Sequence, residues 1–179
     1  MLREALMRLS GEGLAKNQAQ QGFRVMEISL EDLADLTAAR CLIEGMVLRE
    51  SIENGDLEWE SRIVAAHHRL ERTPQKEDPS SLGQSAAFVG AHYDFHMALC
   101  SAAKNKRLIA MVGSLRAASE VYTQWSVQVE SPKRDAQQEH KRLLTLSLDR
   151  DVDGAVAALN AHLQVTARLV LDAAQSSKQ

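Results

Sequence analysis

Aromatic residues make up only 4% of this 179-residue chain, and it contains three prolines and nine glycines. That is too little turn punctuation for a sandwich or barrel of short strands, so an all-β fold is excluded and a mostly helical chain is expected. A basic excess is also missing, since 21 Lys and Arg against 24 Asp and Glu leave a formal net charge of -3. A surface that binds nucleic-acid phosphates unaided normally has the opposite balance, so this chain alone is expected to bind DNA weakly or not at all. The two cysteines, Cys41 and Cys100, form no Cys-x-x-Cys pair. They imply neither a disulfide framework nor a thiolate zinc site, and buried free thiols in a cytoplasmic protein are expected. No apolar run approaches the roughly 18 residues of a spanning helix and the N-terminus has no signal-like apolar region, so membrane insertion and secretion are not expected.

What the chain has is enough apolar residue, 45% of the total, to bury the core of one domain. Leu2, Leu6 and Leu9 read as a short helix stopped by Gly11-Glu12-Gly13. Two brief extended pieces follow, around Leu14-Ala15-Lys16 and Phe23-Arg24-Val25, and read as a small hairpin. From Ser29, an N-cap followed by Glu31 and Asp32, the apolar period is close to 3.6. Helices are placed at 30–53, 56–73, 80–103, 105–129, 133–149 and 151–175. The expected fold is all-α, an antiparallel bundle of about six helices behind a small N-terminal remnant.

Histidines carry the chemical signal. In the third helix His92 and His96 are i,i+4 neighbours on the apolar stripe Leu82, Ala86, Val89, His92, His96, Leu99. His140 and His162 lie on the stripes of the last two helices, each about 14 Å from the turn that joins them. An antiparallel hairpin brings those two rings level. Together the four form a nitrogen-rich candidate site for Zn²⁺, Ni²⁺, Co²⁺ or Cu²⁺. The alternative is four core histidines, each hydrogen-bonded to a neighbour. His67 and His68 are adjacent, cannot share a face, and read as surface residues.

Arg40 is a second anomaly, because it falls on the stripe Leu33, Leu36, Arg40, Ile43, Val47, where an unpaired guanidinium is costly. Either Glu44, at i+4, is its partner, or Arg40 clamps a carboxylate or phosphate. Tyr122 and Trp125 share a stripe and read as core, although the Tyr122 hydroxyl could line a pocket.

The string LREALMRLSGEGL, followed by a hairpin ending QGFRV, resembles the end of the winged helix-turn-helix of GntR-family bacterial regulators. The remainder resembles the FCD effector domain of the FadR subfamily: Arg40 and Glu44 four apart, Phe95-His96-x-Ala98-Leu99, His140 in QEH and His162 in AHL. Residues 1–28 are then a C-terminal remnant of the DNA-binding domain and 29–179 an FCD-type domain for metal binding, ligand binding and dimerisation. The two complete helices that precede the REAL segment in this family are absent from the chain, through either a fragment or a misassigned start. A complete protein is expected to bind a palindromic operator as a homodimer, with half-sites about one or two helical turns apart.

The resemblance implies a metal held by an Asp four residues before the first His, that His, and two later histidines. Here His92 occupies the Asp position, which gives an all-imidazole set, while Asp94 is out of register and should face away. His92, together with Gly55-Asp56-Leu57-Glu58-Trp59-Glu60, resembles the subgroup of the carbon-starvation-induced regulator CsiR. The implied function is a transcriptional regulator whose metal (Zn, Ni or Co) and small carboxylate or dicarboxylate effector control DNA binding, with Arg40 and Tyr122 on the effector. The rival is a metal-dependent hydrolase in a helical bundle. It lacks support because no acid shares the four histidine stripes. A third reading is a closed structural metal.

Overall fold

The computed structural model describes residues 4, 6, 15–18, 22–25, 29–78, 83–128 and 134–176. The short helix expected over Leu2–Leu9 lies outside these residues apart from Glu4 and Leu6, as do Leu82 and the side chain of Trp125. Strands β1 (Ala15–Gln18) and β2 (Gly22–Val25) pair antiparallel with Ala15 opposite Val25. Six helices follow: α1 (Leu30–Asn54), α2 (Leu57–Arg72), α3 (Ala86–Leu99), α4 (Lys106–Gln128), α5 (Ala136–Leu148) and α6 (Val152–Ser176). Among the described residues no helix is long and apolar enough to cross a membrane.

Caps set the helix boundaries. Ser29 accepts from the Asp32 amide, Asp56 from the Trp59 amide and Asp135 from the Gln138 amide, each covering a donor that the first turn leaves free. The third helix begins at Ala86 rather than near residue 80. The Ser85 hydroxyl caps the Phe88 amide and bonds the Pro74 carbonyl, while the Ser85 amide donates to Gln75. The cap at Ser85 is a local signal that periodicity alone passes over, and the loop bonds to Pro74 and Gln75 hold it in place.

The first helix packs chiefly on α6 and α4, α2 on α3, and α5 on α6. Leu48, Ile52, Trp59, Ile63, Phe95, Leu99, Leu143, Leu159 and Leu163 form the main core. The Trp59 indole donates to the Ala98 and Leu99 carbonyls at 3.1 and 3.3 Å, so α2 is keyed to the end of α3. From the α5–α6 turn, Arg150 lies over the Trp59 ring at 4.9 Å, donates to the Ile52 carbonyl at 2.6 Å and pairs with Glu60. Gly55 is required by the same contact, since a Cβ there would sit 2.2 Å from the indole. Gly55→Ala is therefore expected to cost about 1–3 kcal/mol through overpacking, read as a lower urea midpoint at unchanged m-value.

Candidate metal centre

Two turns of α3 and one position each on α5 and α6 bring the four histidines together. His92 and His96 come from α3, His140 from α5 and His162 from α6, and one ring nitrogen from each lies within 4.8 Å of the others. Neighbouring ring centroids are 4.7 Å apart for His92 and His96, 4.8 Å for His140 and His162, and 5.2 Å for His96 and His162. The hairpin geometry expected from the sequence therefore holds. His96, His140 and His162 are buried, and His92 is half-buried. Phe95 meets His96 and His140 edge-on, and Phe88 stacks on His92.

The nitrogens themselves point to an ion. His92 Nε2 and His140 Nε2 face each other at 3.1 Å. Two nitrogens on one tetrahedral ion, each about 2.0–2.1 Å from it, sit about 3.3 Å apart, so this pair is already at ligand spacing. His96 Nε2 is buried without a hydrogen-bond partner among the described residues, which is costly in a packed interior unless something else occupies its lone pair. Burial, reinforced by the charges of His140, Arg116 and the neighbouring rings, holds His92 well below the ordinary histidine range. Burial and Arg116 do the same for His96. Burial and His162 bring His140 down to about 2. Neutral imidazole is the form that ligates. The donor set fits a borderline divalent transition ion such as Zn²⁺, Ni²⁺ or Co²⁺.

Two expectations need correction. An acid does reach the cluster: Glu139 Oε2 lies 2.7 Å from His162 Nδ1, and Glu139 is also held by Arg134. It precedes His140 by one residue and so lies off the helical stripe, where a periodicity search does not look. His67 is not a surface residue but is buried against Phe95, with ring centroids 5.4 Å apart, because α2 packs on α3. His68 is exposed. Asp94 does face away and meets Arg69 on the surface.

Arg40 is buried, and of its two readings the structure contains the ion pair, with Arg40 Nε 2.6 Å from Glu44 Oε1. The sequence reading missed Arg116 of α4, whose Nη1 lies 2.6 Å from the other oxygen of Glu44. Its signal was present, because Val112, Arg116 and Ser119 share one buried stripe. Two buried guanidinium groups thus share one carboxylate, and among the described residues Arg116 Nε has no hydrogen-bond partner. Arg116 lowers the pKa of all four cluster histidines, so its charge is felt there. Tyr122 lies further along α4, where its hydroxyl donates to Asp32 at 2.8 Å and approaches the Ser29 carbonyl at 3.4 Å. It packs with Leu33, Ala167 and Val170.

The FCD domain family matches residues 35–165. The chain is 34% identical over 171 residues to the uncharacterized HTH-type transcriptional regulator BphR of Paraburkholderia xenovorans, covering 94% of this chain and 69% of that protein. It is 28% identical over 169 residues to the HTH-type transcriptional repressor GlaR of Escherichia coli, covering 90% of this chain and 74% of that protein. Among solved structures, a GntR-family transcriptional regulator from Pseudomonas syringae pv. tomato superposes with a TM-score of 0.70 at 26% identity, over 99% of this chain and 71% of its own.

Proposed function

This chain belongs to the FCD domain family of GntR-type transcriptional regulators, and from that membership we propose that its helical bundle is a sensor that binds one divalent transition metal through His92, His96, His140 and His162 and a small carboxylate effector beside it. Its relatives are named as transcriptional regulators, which favours the sensor over the hydrolase alternative. The hairpin β1–β2 is read as the wing of a winged helix ending near residue 28, with residues 29–179 as the sensor. His92 in the usual Asp position and the stretch Gly55–Glu60 support a place in the FadR subfamily beside the carbon-starvation-induced regulators.

The observation that carries the effector reading is the two buried guanidinium groups of Arg40 and Arg116 on the one carboxylate of Glu44, with Arg116 Nε unpartnered among the described residues. A metal dication held by four neutral rings adds further positive charge close by, and a short dicarboxylate is the ligand that can bridge both. An ion that takes a fifth or sixth ligand beyond the four rings, as Ni²⁺ and Co²⁺ do, would offer a Lewis-acidic anchor for a carboxylate oxygen. Arg40 orders Glu44, Glu44 orients Arg116, and Arg116 supplies the planar fork for the anion. Tyr122, whose hydroxyl is taken by Asp32, contributes at most one further bond. Effector binding then biases the placement of the DNA-binding halves of a homodimer on operator DNA.

Calorimetry of metal-loaded protein with C3 to C6 mono- and dicarboxylates tests this. Arg116→Ala leaves Arg40 and Glu44 as a neutral pair, so the protein should still fold and keep its metal. Its affinity for the best ligand should fall about ten- to hundredfold, the loss of one charge-assisted contact. Unchanged affinity in Arg116→Ala removes the clamp; unchanged affinity after demetallation makes the ion structural.

A further inference from the structure

Only one of the four imidazoles has its second ring nitrogen bonded to a carboxylate among the described residues. Arg134 Nε donates to Glu139 Oε1 at 3.1 Å and its Nη2 to Oε2 at 2.9 Å, and the same Oε2 lies 2.7 Å from His162 Nδ1. The fork of the guanidinium fixes the plane of the carboxylate, and the carboxylate in turn fixes the imidazole. A carboxylate can only accept, so the proton of the neutral His162 ring sits on Nδ1 and the lone pair on Nε2.

We propose that Glu139 is a positioning residue of the metal centre, held in place by Arg134, which sets the tautomer and orientation of His162 so that Nε2 faces the ion. The inference rests on the reading of the four histidines as ligands. Glu139 is in the first turn of α5, next to His140, so one helix start delivers a ligand and orients another on α6. It is also the negative charge in contact with an otherwise all-imidazole set, in the position where an outer carboxylate makes a ligating histidine more basic. A purely structural Glu139, part-buried with Arg134 and merely touching His162, would affect stability without affecting the ion.

The test is Co²⁺ binding to metal-stripped full chain, by absorbance and by competition with a chromophoric chelator, for wild type, Glu139→Gln, Glu139→Ala and His96→Ala. Glu139→Ala should weaken Co²⁺ binding about ten- to hundredfold and alter the d–d bands. Glu139→Gln keeps an acceptor oxygen and should recover most of the loss and the wild-type bands. Zn²⁺-loaded wild type should show a protonated His162 Nδ1 in long-range ¹H–¹⁵N spectra. Should Glu139→Ala fail to fold, Arg134→Met frees the carboxylate and should still weaken binding several-fold. The proposal is overturned if Glu139→Ala, or Arg134→Met in its place, binds Co²⁺ within threefold of wild type while His96→Ala does not bind. If wild type itself binds no Co²⁺, the ligand reading falls and this inference falls with it.

Discussion

Replacing both His96 and His140 by alanine should reduce bound metal from about one ion per chain to a trace, as read by elemental analysis after dialysis against metal-free buffer. The expected loss is large because the two rings stand on different helices, and the remaining pair, His92 and His162, is the most widely spaced, with centroids 6.1 Å apart. Equal metal content in the variant and wild type would remove the site. The same rings give the metal-free protein a steep response to acid. Burial and neighbouring positive charge place the folded-state titration of His92, His96, His140 and His162 below the histidine range, whereas in the unfolded chain they titrate near pH 6.5. Unfolding therefore takes up protons below that pH. The stabilisation is complete above about pH 6.5 and is lost as pH falls beneath it, by up to about 1.4 kcal/mol per pH unit for each ring. Urea midpoints from pH 7.5 to 5 should fall steeply for metal-free wild type and more shallowly for the double variant.

Glu44→Gln should be the most damaging single substitution near the site, costing about 3–5 kcal/mol of a total stability that for domains is about 5–15 kcal/mol. Glu44 is 1% exposed and is the shared partner of two buried guanidinium groups. Its amide replacement leaves both cations without a counter-charge. Burial alone would raise the Glu44 carboxyl, yet Arg116 and Arg40 outweigh it and hold the group below the usual carboxylate range. Its contribution is thus present above about pH 4.5 and disappears as acid protonates it. Chemical denaturation at pH 7 measures the cost, and a loss under 1 kcal/mol would mean that water, not Glu44, neutralises the pair. A dicarboxylate that binds Arg116 should partly restore the midpoint of Glu44→Gln.

How much of this was legible in the sequence depended on whether a residue's role is set by its own helix. Helices α1, α2, α4, α5 and α6 were readable to within a few residues, because their periods are regular and caps such as Ser29 and Asp56 are local. The start of α3 is read several residues early, because the apolar stripe extends back to Leu82 past the local cap Ser85, whose hydroxyl also bonds the Pro74 carbonyl. The four histidines were readable for the same local reason: i,i+4 spacing in α3 and equal distance from one turn in α5 and α6. Glu139, Arg116 and His67 are different. Glu139 is off-stripe on α5 and meets His162 because of how α5 lies on α6. Arg116 was on a readable stripe, yet its partner is 72 residues away. His67 is covered by Phe95 because α3 lies across α2. Each of these roles belongs to a pair of helices, and a pattern along one helix does not contain it.

The uneven burial of the four rings also has a kinetic meaning. With His96, His140 and His162 buried and His92 half-buried and stacked on Phe88, an ion held in the proposed site would lie nearest to solvent at His92, on the α3 side of the bundle. Its departure would then be timed by local opening of the bundle there rather than by how tightly the nitrogens grip. Ion exchange against a radioactive isotope should proceed at a rate independent of the concentration of chelator once the chelator is in excess. The proposed sensor would then keep its ion through brief changes in free metal.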